Sequence, residues 1–391
     1  MPVTCFSLSL HKIVLGALWS LLLSALPVVV KTSDGEQIEG EFGGFGNSSL
    51  RLNQDGSVAE FPFDELMSMQ PADIESRTGP TFIVTLVSGS RIAAQTLSSS
   101  DSDLLIEPRR QAKLQVPFKQ VKAIRFRTAS PATDPQWLGM VEREQRGDTL
   151  VIRRDGGRLD PQQGVINSVK SDSVEFDLDG TVVDAPFDRL EGVIFGGTDP
   201  VQSDAAILVS DVFGSAWALS AIESSKAEQP LRMQLSPSLL HEVPIDQIES
   251  IRWSGGVRML AADEPAERSF EPYLETKVDP GLQLAFFAAV ADSETDLRMH
   301  GGSTVEYRIE PGYETFAGAV RRDDRVSRAS SLTVRIKLDG DPVWEQDLKD
   351  AEPRGFELPL ANARRLTLEV DSGDDGTLGD TVRFTRPRLL K

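Results

Sequence analysis

The side chains best suited to recognising a small polar ligand lie in the last quarter of the chain. Trp344 and Tyr313 offer aromatic faces, and such a face packs against the C–H side of a pyranose ring. Asp323, Asp324 and His300 supply acceptors and donors for sugar hydroxyls. Asp371, Asp374, Asp375 and Asp380 form a second acidic stretch, whose hard oxygen ligands suit calcium. Each set also has a plainer reading. Trp344 and Tyr313 are types that fill the core or rim of a sandwich. Asp323 and Asp324 stand among Arg321, Arg322 and Arg325, the make-up of a solvated ion-pair loop. The 371–380 carboxylates miss the EF-hand spacing, since residue 373 is Gly and residue 382 is Val, and Asp–Gly runs make turns. His300 reads as a hydrogen-bonded residue at a strand start rather than a catalytic base.

Catalysis has little support. The chain has no G-x-S-x-G, no H-E-x-x-H and no phosphate loop. Glycoside hydrolysis needs only two carboxylates at a set separation, and nothing singles out such a pair. The expectation is a binding protein rather than an enzyme.

Composition narrows the partners. Sixty acidic and 41 basic residues give a net charge of −19, which opposes binding to nucleic acid. One cysteine, Cys5, and three histidines, His11, His241 and His300, leave no Cys/His zinc site and no disulfide framework. The 31 glycines and 23 prolines favour a turn-rich β protein.

Residues 1–27 read as an export signal: Lys12 precedes an apolar run from Ile13 to Leu26, shorter than a membrane span. Cleavage near residues 25–27 would remove Cys5 and leave Val28–Val30 for a strand. Uncleaved, the segment would be an anchor and the membrane a partner. Either way, the expected place is outside the cell, in the periplasm or in the envelope.

A recurring unit fills residues 28–256. Short aliphatic runs (Val28–Val30, Phe82–Leu86, Leu150–Ile152, Ile207–Val209) lead into turns at Gly35, Gly89, Gly156 and Gly214. An apolar residue follows three positions later: Ile38, Ile92, Leu159, Trp217. Each copy closes on a proline: Pro62, Pro117, Pro186, Pro244. Four residues on stand Leu66, Val121, Leu190 and Ile248; seven on stand Met69, Ile124, Val193 and Ile251. Phe126, Phe195 and Trp253 stand nine on in copies two to four. Each unit is expected to be a four- or five-stranded antiparallel meander, with a short turn or 3₁₀ segment after the proline. Repeats 1 and 2 occupy 28–128, and repeats 3 and 4 occupy 129–256. A unit of roughly 45 residues buries little by itself, so neighbours should pack together. Residues Val30 to Gly40 resemble the Sm-like small barrel. Sm-like proteins bind RNA, which export and the negative charge oppose, so the resemblance implies only a barrel-like shape. The repeats are the expected contact surface for envelope proteins.

Residues 257–269 read as a linker. Strong alternation follows: Val305, Tyr307, Ile309; Leu332, Val334, Ile336, Leu338; Leu366, Leu368, Val370. That argues a β-sandwich over 270–391. The expected fold is therefore all-β, four meander or barrel-like repeats followed by a sandwich. Only −2 of the net charge falls in 301–391.

Specific motifs sharpen this. Leu297–Ile309 (LRMHGGSTVEYRI), Pro311–Val320 (PGYETFAGAV), Asp323-Asp324, Val334–Trp344 with Asp339-Gly340-Asp341, and Arg365–Gly376 (RLTLEVDSGDDG) run in order. Tyr273-Leu274 and Phe286-Phe287 precede them. This series resembles the carbohydrate-binding module associated with glycosyl hydrolase family 98 (NPCBM), over roughly 271–391. The family's closing Asp-His-Ala-Asp-Trp stands here as Asp380-Thr381-Val382-Arg383-Phe384. The resemblance implies a jelly-roll, galactose-binding-like sandwich with carbohydrate as partner. The lost His and second Asp put the sugar site in question, and the alternative is a structural or protein-interaction role in the envelope.

Overall fold

A computed structural model describes residues 26–54, 56–100, 102–143, 145–199, 206–253, 257–271, 279–323, 332–372 and 380–390. Cys5, His11 and the rest of 1–25 lie outside the described residues. No helix among the described residues is long and apolar enough to cross a membrane.

Repeats 1 to 3 are five-stranded antiparallel units, and repeat 4 follows the same plan with its second strand broken into Ala216–Leu219, Ala221–Ile222 and Ser225–Lys226. In repeat 1 the strands are Pro27–Thr32, Gln37–Phe45, Ser49–Gln54, Ser57–Pro62 and Leu66–Pro71. The first strand pairs with both the second and the fifth, which curls the sheet toward a barrel. The glycines at 35, 89, 156 and 214 all have positive φ, the conformation that a tight turn demands and that side chains with a Cβ resist. The four prolines each stand immediately before a 3₁₀ turn: Phe63–Glu65, Phe118–Gln120, Phe187–Arg189 and Ile245–Gln247. Proline suits that place because its fixed φ leads into the turn and it has no donor to lose. The apolar residues four and seven beyond each proline then enter the fifth strand, and all eight are buried.

Fifth strands join the units in pairs. Ile251 of repeat 4 lies opposite Met69 of repeat 1, and Ile124 of repeat 2 lies opposite Val193 of repeat 3. Repeat 4 also touches repeat 2 through Ala216 and Arg91, and repeat 1 through Ser225 and Phe45. One hydrophobic core runs through all four units. Its aromatic residues include Phe45, Phe63 and Trp253, the last two stacked at 5.3 Å, and Phe126 stacked on Phe187 at 4.0 Å.

Helix α1 (Asp134–Glu142) follows repeat 2 and joins the repeats to the C-terminal sandwich. Its start is held by Arg125, whose Nε and Nη2 donate to the fully buried Glu191 at 2.8 and 2.6 Å and whose Nη2 also reaches Asp134. At its end, the Glu142 carboxylate accepts from Arg388 at 2.8 Å and lies 3.5 Å from Arg386. Burial alone would raise the Glu142 pKa, but Arg388, Lys122 and Arg386 outweigh it and hold it near 2.

The sandwich has two sheets. Its strands are β1 (Val257–Met259), β2 (Glu267–Phe270), β3 (Val290–Ala291), β4 (Leu297–His300), β5 (Ser303–Arg308), β6 (Thr315–Arg322), β7 (Leu332–Leu338), β8 (Asp341–Leu348), β9 (Arg354–Pro359), β10 (Arg365–Ser372) and β11 (Thr381–Leu390). One sheet runs β3-β4-β11-β6-β9 with β1 also on β11; the other runs β2-β5-β10-β7-β8. The alternating residues at 305–309, 332–338 and 366–370 face the shared core, as the pattern predicts. The expected linker is different. Residues 257–259 pair with β11, Leu260 is fully buried, and residues 267–270 pair with β5. These two strands are too short to show an alternation, and they form because the sandwich offers them edges.

The buried His241 gives the repeats a pH dependence. It stacks on Trp217 at 4.5 Å, with Nε2 3.0 Å from Gln111 Oε1. Since that oxygen only accepts, Nε2 carries the proton of a neutral ring. Burial lowers the pKa from 6.5 to about 4, against the pull of Asp211. The unfolded chain therefore takes up the proton first as pH falls. The stabilisation is complete above pH 6.5 and disappears as pH falls through about 4. Its size is on the order of 3 kcal/mol. Urea midpoints should drop between pH 7 and pH 4, and the drop should shrink in His241→Phe, which keeps the stack and cannot titrate. A separate check on the core is Ile251→Ala, expected to cost about 2–5 kcal/mol in urea unfolding.

Candidate functional site

Three of the sequence-chosen residues meet at one end of the sandwich. His300 ends β4, Asp323 follows β6, and Asp380 precedes β11. The strands make this inevitable: His300 lies opposite Thr381, and Arg322 lies opposite Val382. Asp323 is held in place by its amide, which donates to the Thr381 carbonyl at 2.8 Å. The Asp380 carbonyl accepts from Gly301 at 2.6 Å, and its carboxylate lies 4.0 Å from Arg322 Nη2. Asp323, Arg322 and Asp380 are all buried.

Two aromatic residues complete this end. Helix α2 (Pro280–Phe287) begins at Asp279, whose Oδ1 accepts from Gly281 and Leu282 at 2.9 and 3.2 Å. Its last turn sets Phe287 edge-on to His300 at 5.1 Å and stacked on Phe270 at 4.9 Å. Ser303 Oγ fixes the helix end by donating to the Phe287 carbonyl at 2.9 Å. Phe286, next to it, is 65% exposed, the one aromatic among the large exposed apolar side chains of the described residues. His300 Nδ1 is buried without a hydrogen-bond partner among the described residues. Burial lowers the His300 pKa, Asp380 pulls it up, and Arg298 adds to the lowering.

The other chosen residues are elsewhere. Tyr313 lies at the opposite end, roughly 24 Å away along β6. It packs against the sandwich core, and burial raises its phenol pKa against the lowering pull of Arg258. That end meets the repeats: Glu314 pairs with Arg252, and Gly312 lies against Met67. Trp344 is on the edge strand β8. It is half-buried and turned toward the core, with its ring edge-on to Phe356 of the other sheet at 5.5 Å. Asp371 is on the outer face of β10, 3.0 Å from Arg335, which also holds Glu369 at 2.9 Å. Asp324, Asp374 and Asp375 lie outside the described residues. Among the described residues no group of three or more His, Cys, Asp or Glu is placed to hold a metal.

Sequence reading noted Phe286 and Phe287 only as part of a motif. The Asp279-Pro280 helix start was the available signal, since Asp at the cap and Pro at the first position mark a helix that delivers its last turn to a fixed place.

Residues 293–390 match the family model of the NPCBM/NEW2 domain. The matched NPCBM segment contains His300, Tyr313, Asp323, Trp344, Asp371 and Asp380, while Phe270 and Phe287 precede it. No curated protein matches the chain. Among solved structures, the chain is similar to CBM51 from Clostridium perfringens GH95 in complex with methyl-galactose, with 18% identity over 34% of this chain and 99% of that one and a TM-score of 0.27. It is similar to the CBM51-2 and INT domains of Clostridium perfringens ZmpB, with 15% identity over 44% and 40% of the two chains and a TM-score of 0.27. It is also similar to the tandem CBM51 modules of a family 98 glycoside hydrolase from Streptococcus pneumoniae, with 10% identity over 88% and 87% and a TM-score of 0.26.

The His300 end can be tested by titration. In an NMR pH series, His300 should protonate below the ordinary 6.5, and in Asp380→Asn its midpoint should fall further, because the charge that raises it is gone. A rise in that variant would mean that Asp380 does not face the ring.

Proposed function

We propose that the protein is an exported, non-catalytic carbohydrate-binding protein, and that the His300 end of its NPCBM domain holds the glycan. The observation carrying this is the meeting of His300, Asp323 and Asp380 on a segment that matches the NPCBM/NEW2 family model, with helix α2, which precedes that segment, setting Phe287 on His300 and exposing Phe286 one residue earlier. Sugar recognition needs that combination. An aromatic face takes the C–H side of the ring, and fixed polar groups read the hydroxyls. Phe287 and Phe270 back the site and keep His300 in one orientation. Calcium, if it takes part, would draw on the acidic stretch around Asp371 and Asp380. Export rests on the apolar run from Ile13 to Leu26.

Trp344 is a weaker platform than Phe286, because part of its ring is occupied by Phe356 and the core. Tyr313 is placed at the seam with the repeats, where it serves packing.

The test is a glycan array probed with the whole chain, with and without a calcium chelator. Methyl-galactose is the first monosaccharide to titrate. Binding should fall about tenfold or more in Phe286→Ala and in His300→Ala, with thermal melting little changed in the former. Trp344→Ala should leave it unaltered. An array with no bound glycan would remove the proposal, and loss of binding in Trp344→Ala alone would move the site to the β8 edge.

A further inference from the structure

Aligned on their closing prolines, the repeats share a pattern on their fourth strands that sugar binding does not use. Four residues before the proline stand Val58, Val182 and Leu240 in repeats 1, 3 and 4, and these are 67%, 55% and 49% exposed. Two residues before it stand Glu60, Asp184 and Glu242, and two after it stand Asp64, Asp188 and Asp246. Repeat 2 departs at each place, with Lys113, Gln115 and Lys119.

Every fourth strand is an edge. Residues 57–62, 114–117, 181–186 and 239–243 each pair only with the third strand of their own repeat, among the described residues. Their outer sides present amides and carbonyls able to pair with another chain. Alternation places the aliphatic residue and the first carboxylate on one face of the strand. One exposed valine is ordinary. The same exposed aliphatic beside the same charge at three equivalent edges is a constructed surface.

The charges select the occupant. Lysine commonly protects an edge, and repeat 2 follows that rule, with Lys113 paired to Glu107 at 3.1 Å. Repeats 1, 3 and 4 have no lysine on the strand and carry carboxylates two residues before and two residues after the proline. Glu60 meets Ser49, Asp184 meets Lys170 and Glu242 meets Arg232. Asp64, Asp188 and Asp246 are exposed and have no ion-pair partner among the described residues. On a chain of net charge −19 these edges repel a second copy and attract a cationic strand.

We infer that the fourth-strand edges of repeats 1, 3 and 4 accept an extended segment of another protein in which Lys or Arg alternates with small apolar residues. It would add as a strand, with backbone bonds along the edge, aliphatic contacts to Val58, Val182 or Leu240, and its cations beside the carboxylates.

The probe is a short fluorescent peptide alternating lysine with valine and threonine, and its control replaces each lysine by glutamate. Anisotropy against the whole chain should show binding of the lysine peptide alone, weakening as salt rises. Hydrogen exchange in residues 57–62, 181–186 and 239–243 should slow when it binds. The triple variant V58K/V182K/L240K should bind about tenfold more weakly or worse while melting like the parent. The uncharged triple V58T/V182T/L240T should also bind more weakly, which separates aliphatic contact from added repulsion. Failure of the lysine peptide to bind, binding without slower exchange at these strands, or equal binding by both triple variants and the parent would each overturn the inference. So would sedimentation showing a dimer of the parent that both triple variants lose, since the occupant would then be a second copy.

Discussion

A five-stranded unit of roughly 45 residues encloses too little volume to stand by itself. That limit shapes the whole N-terminal region. Each repeat closes its first strand on its fifth around a small centre but leaves the other side of the fifth strand open, and the fifth strands satisfy one another. Ile251 against Met69 and Ile124 against Val193 turn four weak cores into one. The nesting of repeat 1 with 4 and repeat 2 with 3 follows, because each fifth strand has one free side. Gly192 shows how closely the units approach. A Cβ there would collide with the Ile124 carbonyl and the Trp137 ring.

The same shared strands place helix α1, and through it the sandwich. Arg125 and Glu191 stand on the paired fifth strands of repeats 2 and 3 and together grip the helix start. The helix covers β9, an otherwise open edge of the sandwich, with Gly139 against the Pro353 carbonyl and Gly355 against Leu138. The buried charges at this joint contribute geometry more than stability, since desolvation offsets much of their attraction. With Arg386 and Arg388 on β11 held by Glu142, the strand that leads to Asp380 is fixed from the repeat side.

The repeats were legible because they are written in residues with backbone consequences. Glycine at positive φ and proline before a 3₁₀ turn fix the chain locally, and the positions four and seven residues on then have one possible face. The sandwich strands were legible for the same local reason, since Leu332 to Leu338 and Leu366 to Val370 alternate without a break. The His300 end was legible only in part. His300, Asp323 and Asp380 are separated by long stretches of chain, and strand register brings them together. Trp344 illustrates the limit. Alternation places it on one face of β8, but whether that face is open or covered depends on Phe356, a residue of the opposite sheet. Residues 257–270 mislead for a related reason: their two short strands owe their form to partners more than 30 residues away, and their own composition is that of a loop.

The two ends of the sandwich differ because only one is needed for assembly. The Tyr313 end carries Gly312 beside Met67 and Glu314 paired with Arg252, so its loops are committed to the repeats. Residues committed in this way lose freedom to adapt to a ligand. The His300 end is built from the other termini of the same strands. Its polar groups are supported from within the sandwich, by Thr381, Gly301 and Arg322, and Phe286 is exposed on helix α2, one residue before the Phe287 that packs on His300. A ligand at the His300 end would leave the joint undisturbed, whereas a ligand at Tyr313 would have to displace a repeat. Position along the strands, more than residue type, therefore decides between two aromatic-and-acidic ends that look alike in the sequence.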